Sequence, residues 1–248
     1  MLAEERFAAI LQLLQEKKTV TVNELTKTLH ISESTIRRDL VSLHKMKKLR
    51  KVHGGATLLQ KEYAPIENDV TQRSQEHIEE KRRLAQYAAT LIEPHDFIYL
   101  DAGSTILHMA EFIEEKDAVY VTNSLYLSER LAIKGMKVFI LAGEIKAKTM
   151  AVVGLGAVSA LQKYNFTKGF WGTNGVHQKL GFSTPDVKEA KVKEVAMKHC
   201  AKRYVLCDSS KFSQISCVKF GEFAKTCIIT TQILDESYRQ CDNIIEVK

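Results

Sequence analysis

Four short stretches of the chain combine glycine with hydroxyl and amide side chains, a set of groups that can bind a small anion. They are DAGST from position 101, TNS from 122, GTNG from 172 and DSSK from 208, and each follows a short apolar run. Backbone N–H groups and hydroxyls in such turns can hold a phosphate dianion, and Lys211 supplies a counter-charge. The turns therefore predict a site for a phosphorylated sugar, although each turn alone also fits a capped glycine turn without a ligand.

Most of the candidate effector-binding residues lie in these turns: Asp101, Gly103, Ser104, Thr105, Thr122, Asn123, Ser124, Gly172, Asn174, Gly175 and Lys211. Asp101 would repel a phosphate, so we expect it to accept from a sugar hydroxyl. Glu189 and Lys193, four residues apart on a predicted helix, fit a surface ion pair as well as a site. No cofactor is predicted, and no metal site, because the eight histidines are scattered without ligand spacing.

The apolar runs that precede these turns alternate with helical segments. The runs cover residues 97–100, 118–121, 138–141, 170–171, 204–207 and 227–229. This alternation predicts βαβ crossover units, and hence an α/β domain with a mostly parallel sheet. Ligands of such sheets bind beyond the carboxyl ends of the strands, which is where the four polar turns fall.

A second stretch with binding chemistry is SESTIRRDLVSL at residues 32–43. Ile36, Leu40 and Leu43 recur at helical spacing and form one apolar stripe, and Ser32 is placed to cap the first turn. The other face carries hydroxyls and arginines, which suit base edges and phosphates. Taken alone, the stretch fits a solvated amphipathic helix equally well.

The segments around this helix predict a winged helix-turn-helix. Residues 4–17 form a predicted helix, and Thr21 with Glu24 fits a capping box that begins a second helix. A strand at residues 49–52 and the pair Gly54–Gly55, which supplies positive φ angles, predict a hairpin that forms the wing. The side chains expected to contact DNA are Ser32, Ser34, Thr35, Arg37, Arg38, Ser42, Lys48, Arg50, Lys51 and His53.

The distribution of charge supports contact with a polyanion. The chain of 248 residues has a net charge of +6, and its first 60 residues hold 11 Lys and Arg against 6 Asp and Glu. The remaining 188 residues are nearly balanced, with 25 basic against 24 acidic side chains. A charge run that only aids solubility more often mixes both signs, so the basic N-terminal segment favours nucleic-acid binding.

The same features predict two domains joined by a linker. Residues 1–57 form the DNA-binding domain, residues 58–76 a polar linker without sustained periodicity, and residues 77–248 the sensor domain. We expect a cytoplasmic protein, because no apolar run approaches the length of a membrane span and no signal peptide is recognisable. The five cysteines show no C-x-x-C pair and are interpreted as reduced packing residues.

Several motifs resemble the DeoR family of bacterial transcriptional regulators. SESTIRRDL and KVHGGA are similar to its winged helix-turn-helix, and DAGST, VTNS, LAGE, WGTNGVH and SSKF to its sensor domain. The resemblance implies operator reading through Ser34, Thr35, Arg37 and Arg38, and a sensor that is similar in fold to ribose 5-phosphate isomerase and binds phosphorylated sugars. It also adds Gly143 of LAGE to the expected site. IYLDAGST with GTNGVHQKLGFSTPD most resembles fructose-operon repressors of Gram-positive bacteria, which implies fructose 1-phosphate as the effector.

These observations predict a DNA-binding repressor of a sugar-utilisation operon, expected to be a fructose operon, and not an enzyme. Its expected partners are double-stranded operator DNA, a phosphorylated sugar and further copies of the chain in a homodimer or homotetramer. The alternative is a sugar-phosphate isomerase with an accessory DNA-binding domain, in which Asp101, Glu189 and Lys211 would serve as base, acid and phosphate anchor. Architectural DNA binding without a ligand would leave the four polar turns unexplained.

Overall fold

The computed structural model describes residues 3–17, 19–46, 48–52, 54–57, 69–233 and 235–247. The chain forms two compact units, Met1–Ala64 and Pro65–Lys248. Within the described ranges, no helix is long and apolar enough to cross a bilayer.

The first unit is a winged helix-turn-helix, as predicted. Its elements are α1 (Ala3–Lys17), β1 (Thr19–Thr21), α2 (Val22–Leu29), α3 (Glu33–Lys45), β2 (Arg50–Val52) and β3 (Gly55–Thr57). The strands pair antiparallel in the order β1-β3-β2, so β2 and β3 form the wing and β1 joins it to the helices.

The start of α2 follows the sequence prediction, but the start of α3 does not. The Thr21 hydroxyl accepts from the Glu24 N–H at 3.1 Å, and the Glu24 carboxylate accepts from the Thr21 N–H at 2.8 Å, which completes the capping box. The predicted cap by Ser32 is wrong, because its side chain bonds no backbone N–H. The Ser32 hydroxyl instead lies 2.9 Å from the Thr35 hydroxyl and 3.2 Å from that of Ser34.

The predicted apolar stripe of α3 forms the centre of this unit's core. Ile36, Leu40 and Leu43 are buried against side chains of α1 and α2. Asp39 is buried beside them, and the Arg6 guanidinium donates to its two oxygens at 2.8 and 3.0 Å. This pair joins α1 to α3, and so helps to hold the exposed face of α3 in place.

The two wing glycines have different physical roles. Gly54 has a φ of +79°, which favours glycine, as predicted. The predicted positive φ at Gly55 is wrong, since Gly55 is absent from the positive-φ positions. A Cβ at Gly55 would lie 2.2 Å from the Val20 carbonyl oxygen, so close packing of β3 on β1 requires glycine there.

The second unit is built on a seven-stranded parallel sheet, which confirms the predicted mostly parallel α/β architecture. The strands are β4 (Phe97–Leu100), β5 (Val119–Thr122), β6 (Lys137–Ile140), β9 (Phe166–Gly172), β12 (Cys200–Leu206), β14 (Cys227–Thr230) and β15 (Ile244–Glu246). Their order is β15-β14-β12-β9-β4-β5-β6, with all six pairings parallel. The central strands β4, β9 and β12 are therefore neighbours, and their carboxyl ends share one edge.

Helices and two small antiparallel sheets surround this parallel sheet. The helices are α4 (Val70–Gln75), α5 (Ile78–Ala89), α6 (Ser104–Leu107), α7 (Met109–Phe112), α8 (Leu125–Ile133), α9 (Leu155–Leu161) and α10 (Val187–Lys198). The antiparallel strands are β7 (Glu144–Lys146), β8 (Ala151–Val153), β10 (Gly175–His177), β11 (Gly181–Thr184) and β13 (Val218–Gly221). The sequence predicted six of the parallel strands but not β15 or these antiparallel pairs, which are too short to show a clear period.

The end of the predicted linker is a helix of the second unit. Asp69 caps α4 by accepting from the Thr71 N–H at 2.7 Å. The Val70 N–H donates to the Lys148 carbonyl at 2.9 Å, and Val70 and Ser74 are buried. Six residues are too few to show a helical period, and α4 is held by tertiary contacts rather than by its own propensity.

Candidate DNA-binding surface and anion pocket

The outward face of α3 presents the side chains that the sequence assigned to DNA. Ser32, Ser34, Arg37 and Arg38 are exposed, and Thr35 and Ser42 are half-buried. The buried stripe on the opposite face fixes this orientation. The surface offers two guanidinium groups among small hydroxyls, so a duplex backbone or base edge can approach the helix closely.

The two arginines on this face have different partners. The Arg37 guanidinium donates to the Glu33 carboxylate, with an Nη2–Oε1 distance of 2.6 Å, one turn back along the helix. Arg38 makes one long bond of 3.4 Å from Nε to the Ser34 carbonyl. Both of its terminal nitrogens have no hydrogen-bond partner among the described residues. Arg38 therefore has the donor pair for a bidentate contact with guanine, whereas Arg37 must first leave Glu33.

The wing carries part of the predicted basic surface. Lys48 and Lys51 are exposed, and Arg50 begins β2. His53 lies outside the described residues.

A polar pocket lies at the carboxyl ends of the three central strands of the second unit. It is a cleft that is partly open to solvent. Its polar lining comes from Arg73, Glu76, Lys81, Gly103, Ser104, Thr105, Gly172, Thr173, Asn174, Thr184, Glu189, Lys193, Asp208 and Lys211.

The turn after β4 supplies unpartnered donors to this pocket. The side chains of Ser104 and Thr105 are more than nine-tenths buried, and neither hydroxyl has a hydrogen-bond partner among the described residues. The first N–H groups of α6 have no carbonyl within the helix to pair with. Gly103 allows this turn to lie against the end of β9, because a Cβ there would meet the Gly172 Cα at 3.2 Å. Hydroxyls and N–H groups thus converge on one small volume.

The turn after β12 places a cation opposite a fixed carboxylate. Lys211 Nζ lies 3.8 Å from Asp208 Oδ2, and the Ser210 N–H donates to Asp208 Oδ1 at 3.0 Å. Burial opposes ionisation of Asp208, but the Lys211 charge and the Ser210 hydrogen bonds outweigh it, so the pKa of this carboxyl lies below its usual value. Asp208 therefore positions Lys211 as a charged group at the pocket wall.

The third wall comes from the turn after β9 and from β11. The Asn174 side-chain oxygen Oδ1 accepts from the Thr184 hydroxyl at 3.2 Å, and this bond fixes the plane of the side-chain amide. The Asn174 Nδ2 group has no partner among the described residues, so it can donate to a ligand oxygen.

Two buried charged residues on α10 complete the pocket. Glu189 accepts from the Thr149 hydroxyl at 2.6 Å and lies 3.4 Å from Lys146 Nζ. Lys193 pairs with Asp101 and donates to the Gly172 carbonyl at 3.2 Å. The surface ion pair considered for Glu189 and Lys193 is therefore not formed. Each is buried, lines the pocket and binds a different partner.

The structure adds three charged residues that sequence reasoning missed. Arg73 and Glu76 come from α4 and the residue after it, and Lys81 from α5. Lys81 is buried, and burial lowers its pKa to about 8. They lie in or beside the segment interpreted as a linker. The mixed-charge pattern of RSQEHIEEK is too common on solvated helices to have marked a site.

Six predicted effector residues lie in the pocket: Gly103, Ser104, Thr105, Gly172, Asn174 and Lys211. The other six do not line it: Asp101, Thr122, Asn123, Ser124, Gly143 and Gly175. Asp101 lies just behind the wall, where its carboxylate binds Lys193 and accepts from the Gly172 N–H at 3.0 Å. Its carboxylate thus has two protein partners in this structure, and its role as an acceptor for a sugar hydroxyl stays a prediction.

The turn after β5 has an internal structural role. The Thr122 hydroxyl donates to the Leu100 carbonyl at 2.7 Å, and the Asn123 side chain accepts from the Tyr99 hydroxyl at 3.0 Å and donates to the Val152 carbonyl at 3.2 Å. The Ser124 hydroxyl caps α8. In the sheet, β5 lies beyond β4 on the side away from β9, so the turn after β5 lies one strand spacing, about 4.8 Å, beyond that of β4.

The two remaining glycines are required by packing. A Cβ at Gly143 would lie 2.5 Å from the Val153 carbonyl oxygen, and Gly143 has a φ of +157°. A Cβ at Gly175 would lie 2.4 Å from the Gln214 carbonyl oxygen. Both positions need glycine for close approach of the backbone, which explains their place in the motifs without a ligand contact.

Comparison with known families identifies both units. Residues 6–62 match the family described as "DeoR-like helix-turn-helix domain", and residues 76–232 match the family described as "DeoR C terminal sensor domain". The chain belongs to the DeoR family of transcriptional regulators.

Curated relatives match over almost the whole chain. A Bacillus subtilis protein described as an uncharacterized HTH-type transcriptional regulator, FruR, is 41% identical over 232 residues, which cover 93% of this chain and 92% of the relative. IolR of the same organism, also an HTH-type transcriptional regulator, is 32% identical, and the match covers 91% of this chain and 90% of IolR. A lactose phosphotransferase system repressor of Staphylococcus epidermidis is 32% identical over 98% of both chains.

Among solved structures, the chain is similar to ribose 5-phosphate isomerases. The protein from Methanocaldococcus jannaschii has a TM-score of 0.40 and 16% identity, and the match covers 53% of each chain. The protein from Neisseria gonorrhoeae has a TM-score of 0.40 and 18% identity, with 56% of this chain and 54% of that chain covered. The matches thus span about half of those proteins.

Proposed function

We propose that this chain is a transcriptional repressor of a sugar-utilisation operon, and that a phosphorylated sugar bound in the polar pocket lowers its affinity for operator DNA. The observation that carries the proposal is the pocket itself, in which unpartnered hydroxyl and amide donors face Lys211 on a regulator of the DeoR family. Linkage between the two units then requires only that the sugar phosphate bind better to the form with low DNA affinity.

In the first unit, α3 reads operator bases, and the wing contacts phosphates. The exposed groups Ser34, Arg37 and Arg38 supply base and backbone contacts, and Lys48 and Lys51 add charge. Helix-turn-helix proteins read paired half-sites as symmetric oligomers, so the working form is a homodimer or homotetramer.

In the second unit, the phosphate binds the turn of Gly103, Ser104 and Thr105, with Lys211 as counter-charge. The hydroxyls of the sugar bind Asn174 and Glu189, the latter replacing Asp101 in the role that the sequence suggested. The buried carboxylate of Glu189 accepts hydrogen bonds from hydroxyls, and the free amide of Asn174 donates one.

The effector we propose is fructose 1-phosphate. The relative with 41% identity is named FruR, and the motifs of this chain resemble those of fructose-operon repressors. The isomerase alternative has no comparable support, since the relatives that match over 90% or more of this chain are named regulators or repressors.

A ligand panel on the purified full-length protein tests the effector assignment. Thermal melting is measured with fructose 1-phosphate, fructose 6-phosphate, galactose 6-phosphate and unphosphorylated fructose. We expect fructose 1-phosphate to raise the melting temperature most and fructose to leave it unchanged. A larger shift with another sugar phosphate would change the effector, and no shift with any of them would refute sensing by the pocket.

The Lys211→Ala variant tests the phosphate assignment. We expect it to bind operator DNA as the parent does but to require a higher concentration of fructose 1-phosphate for release. The exposed Lys163, outside the pocket, provides a matched control as Lys163→Ala. Release of both variants at the same ligand concentration would remove Lys211 from the site.

A further inference from the structure

The short helix α4 is held within the second unit by several contacts, and one of them comes from Lys81, which lines the polar pocket. It packs against α6, the helix that follows the Gly103–Thr105 turn. The Lys81 ammonium donates a hydrogen bond to the Arg73 carbonyl oxygen, and His108 Nε2 lies 3.2 Å from the Ser74 carbonyl oxygen. Both carbonyls belong to the last turn of α4, where a helix has no partners of its own for them. The position of α4 therefore depends on a side chain of α5 and on His108, the residue between α6 and α7.

Two cationic groups on this junction lack their full set of partners. The Lys81 ammonium has three donors, and the Arg73 carbonyl is its one hydrogen-bond acceptor among the described residues. The Arg73 Nε group is buried without a partner. Both side chains line the polar pocket, and Lys81 is only 4% exposed. A buried ammonium with unused donors beside a buried unpaired guanidinium nitrogen is suited to an anion.

The connection along the chain gives this junction a second consequence. Arg73 lies on α4, the first described element of the second unit, which follows the first unit in the chain at Pro65. A ligand that binds Arg73 and Lys81 acts on the same helix turn that Lys81 already holds through a carbonyl. Anion binding and the ordering of α4 are then coupled events.

We propose that the bound effector anion is held jointly by Lys81 and Arg73, and that this contact fixes α4 and so passes effector binding to the DNA-binding unit. The inference rests on the proposed function and extends its site to a second element. Lys81 keeps its bond to the Arg73 carbonyl and gives its remaining donors to the anion, so the anion and the last turn of α4 share one ammonium. Lys81 and Arg73 are then effector-binding residues, and α4 is the helix of the second unit that lies nearest in the chain to the first unit.

Hydrogen exchange of the full-length protein, with and without saturating fructose 1-phosphate, tests this directly. We expect slower exchange in peptides covering residues 69–81, together with those covering the turns at 101–107 and 208–214. Protection of the two turns without protection of residues 69–81 would overturn the role of α4 and leave the proposed function standing. Absence of protection in all three segments would overturn both.

A substitution measures the contribution of Lys81 to binding. Lys81→Met keeps the length of the buried side chain but removes its charge, and we expect the affinity for fructose 1-phosphate in calorimetry to fall by about tenfold or more. The control Lys163→Met removes an exposed lysine outside the pocket and should bind as the parent does. Equal affinity of Lys81→Met and the parent would overturn the anion contact. The exchange measurement on the parent protein decides the role of α4 even if Lys81→Met is poorly folded.

Discussion

The cationic side chains of the two units differ in exposure and in partners. On α3 and the wing, Arg38, Lys48 and Lys51 are exposed. In the polar pocket, Lys81 and Lys193 are buried and held by a carbonyl or a carboxylate. Exposed charges attract a large polyanion at long range and are screened by salt, whereas buried charges act on a small ligand at contact distance. The same residue types are thus suited to two different anions.

The largest expected difference between the units is in their response to salt. A dimer that neutralises about six phosphates should lose about 10³-fold in operator affinity between 50 and 200 mM salt. Affinity for fructose 1-phosphate should fall by less than about fivefold, because the pocket cations are shielded from the solvent. Fluorescence anisotropy measures how the affinity for DNA depends on salt, and calorimetry measures how the affinity for the sugar phosphate depends on salt. An equal dependence on salt for both ligands would contradict the difference between exposed cations in the first unit and buried cations in the pocket.

Lys193→Met should destabilise the second unit by about 3 kcal/mol, because it leaves the buried Asp101 carboxylate without its cation. Urea unfolding followed by Trp171 fluorescence measures this, since the single tryptophan is buried in that unit. The double variant Asp101→Asn with Lys193→Met should recover part of the loss. If the single variant unfolds at the same urea concentration as the parent, the pair is not a structural one.

The two arginines of α3 should differ in their contribution to operator binding. Arg38→Ala should weaken binding by about tenfold and relax discrimination between bases, because its terminal nitrogens are free for a bidentate contact. Arg37→Ala should cost less than about threefold, since Arg37 gives up a Glu33 partner to reach DNA. Anisotropy with cognate and scrambled duplexes measures both. A larger loss for Arg37→Ala would reverse the assignment.

The smallest effect is the dependence of sugar-phosphate affinity on pH. Burial lowers the pKa of Lys81 to about 8. The negative charges of Asp208 and Glu76 raise this pKa, and the positive charges of Lys211 and Arg73 lower it. Lys81 is therefore charged below pH 8 and loses its charge above it. Affinity should already fall by about twofold between pH 7 and 8, where half of the Lys81 ammonium is deprotonated, and fall several-fold by pH 9. The Lys81→Met variant should lack this decline, and a decline of the same size in that variant would assign it to another group.

Local sequence patterns predicted the DNA-binding unit well. The stripe of Ile36, Leu40 and Leu43 and the Thr21–Glu24 capping box depend on residues close together in the chain, and the structure has both. The predicted cap by Ser32 was wrong because a hydroxyl near a helix start can bond to other side chains as well as to the backbone. The Ser32 hydroxyl bonds to the Thr35 hydroxyl instead.

The pocket was predicted only in part because strand order is a tertiary property. The turns after β4, β9 and β12 carry hydroxyl, amide or lysine side chains, and all three turns line the pocket. The turn after β5 carries similar side chains but lies one strand away. Nothing local distinguishes Thr122 from Ser104. The recruitment of Arg73 and Lys81 likewise depends on α4 packing back onto α6.

One measurement tests most directly whether the two anion sites are linked. The full-length protein is titrated onto a fluorescent duplex from its own upstream region at fixed ionic strength, with and without saturating fructose 1-phosphate. The account predicts that the effector raises the operator Kd by about 5- to 150-fold and that unphosphorylated fructose does not. An unchanged operator Kd under conditions where calorimetry shows the pocket to be filled would contradict it.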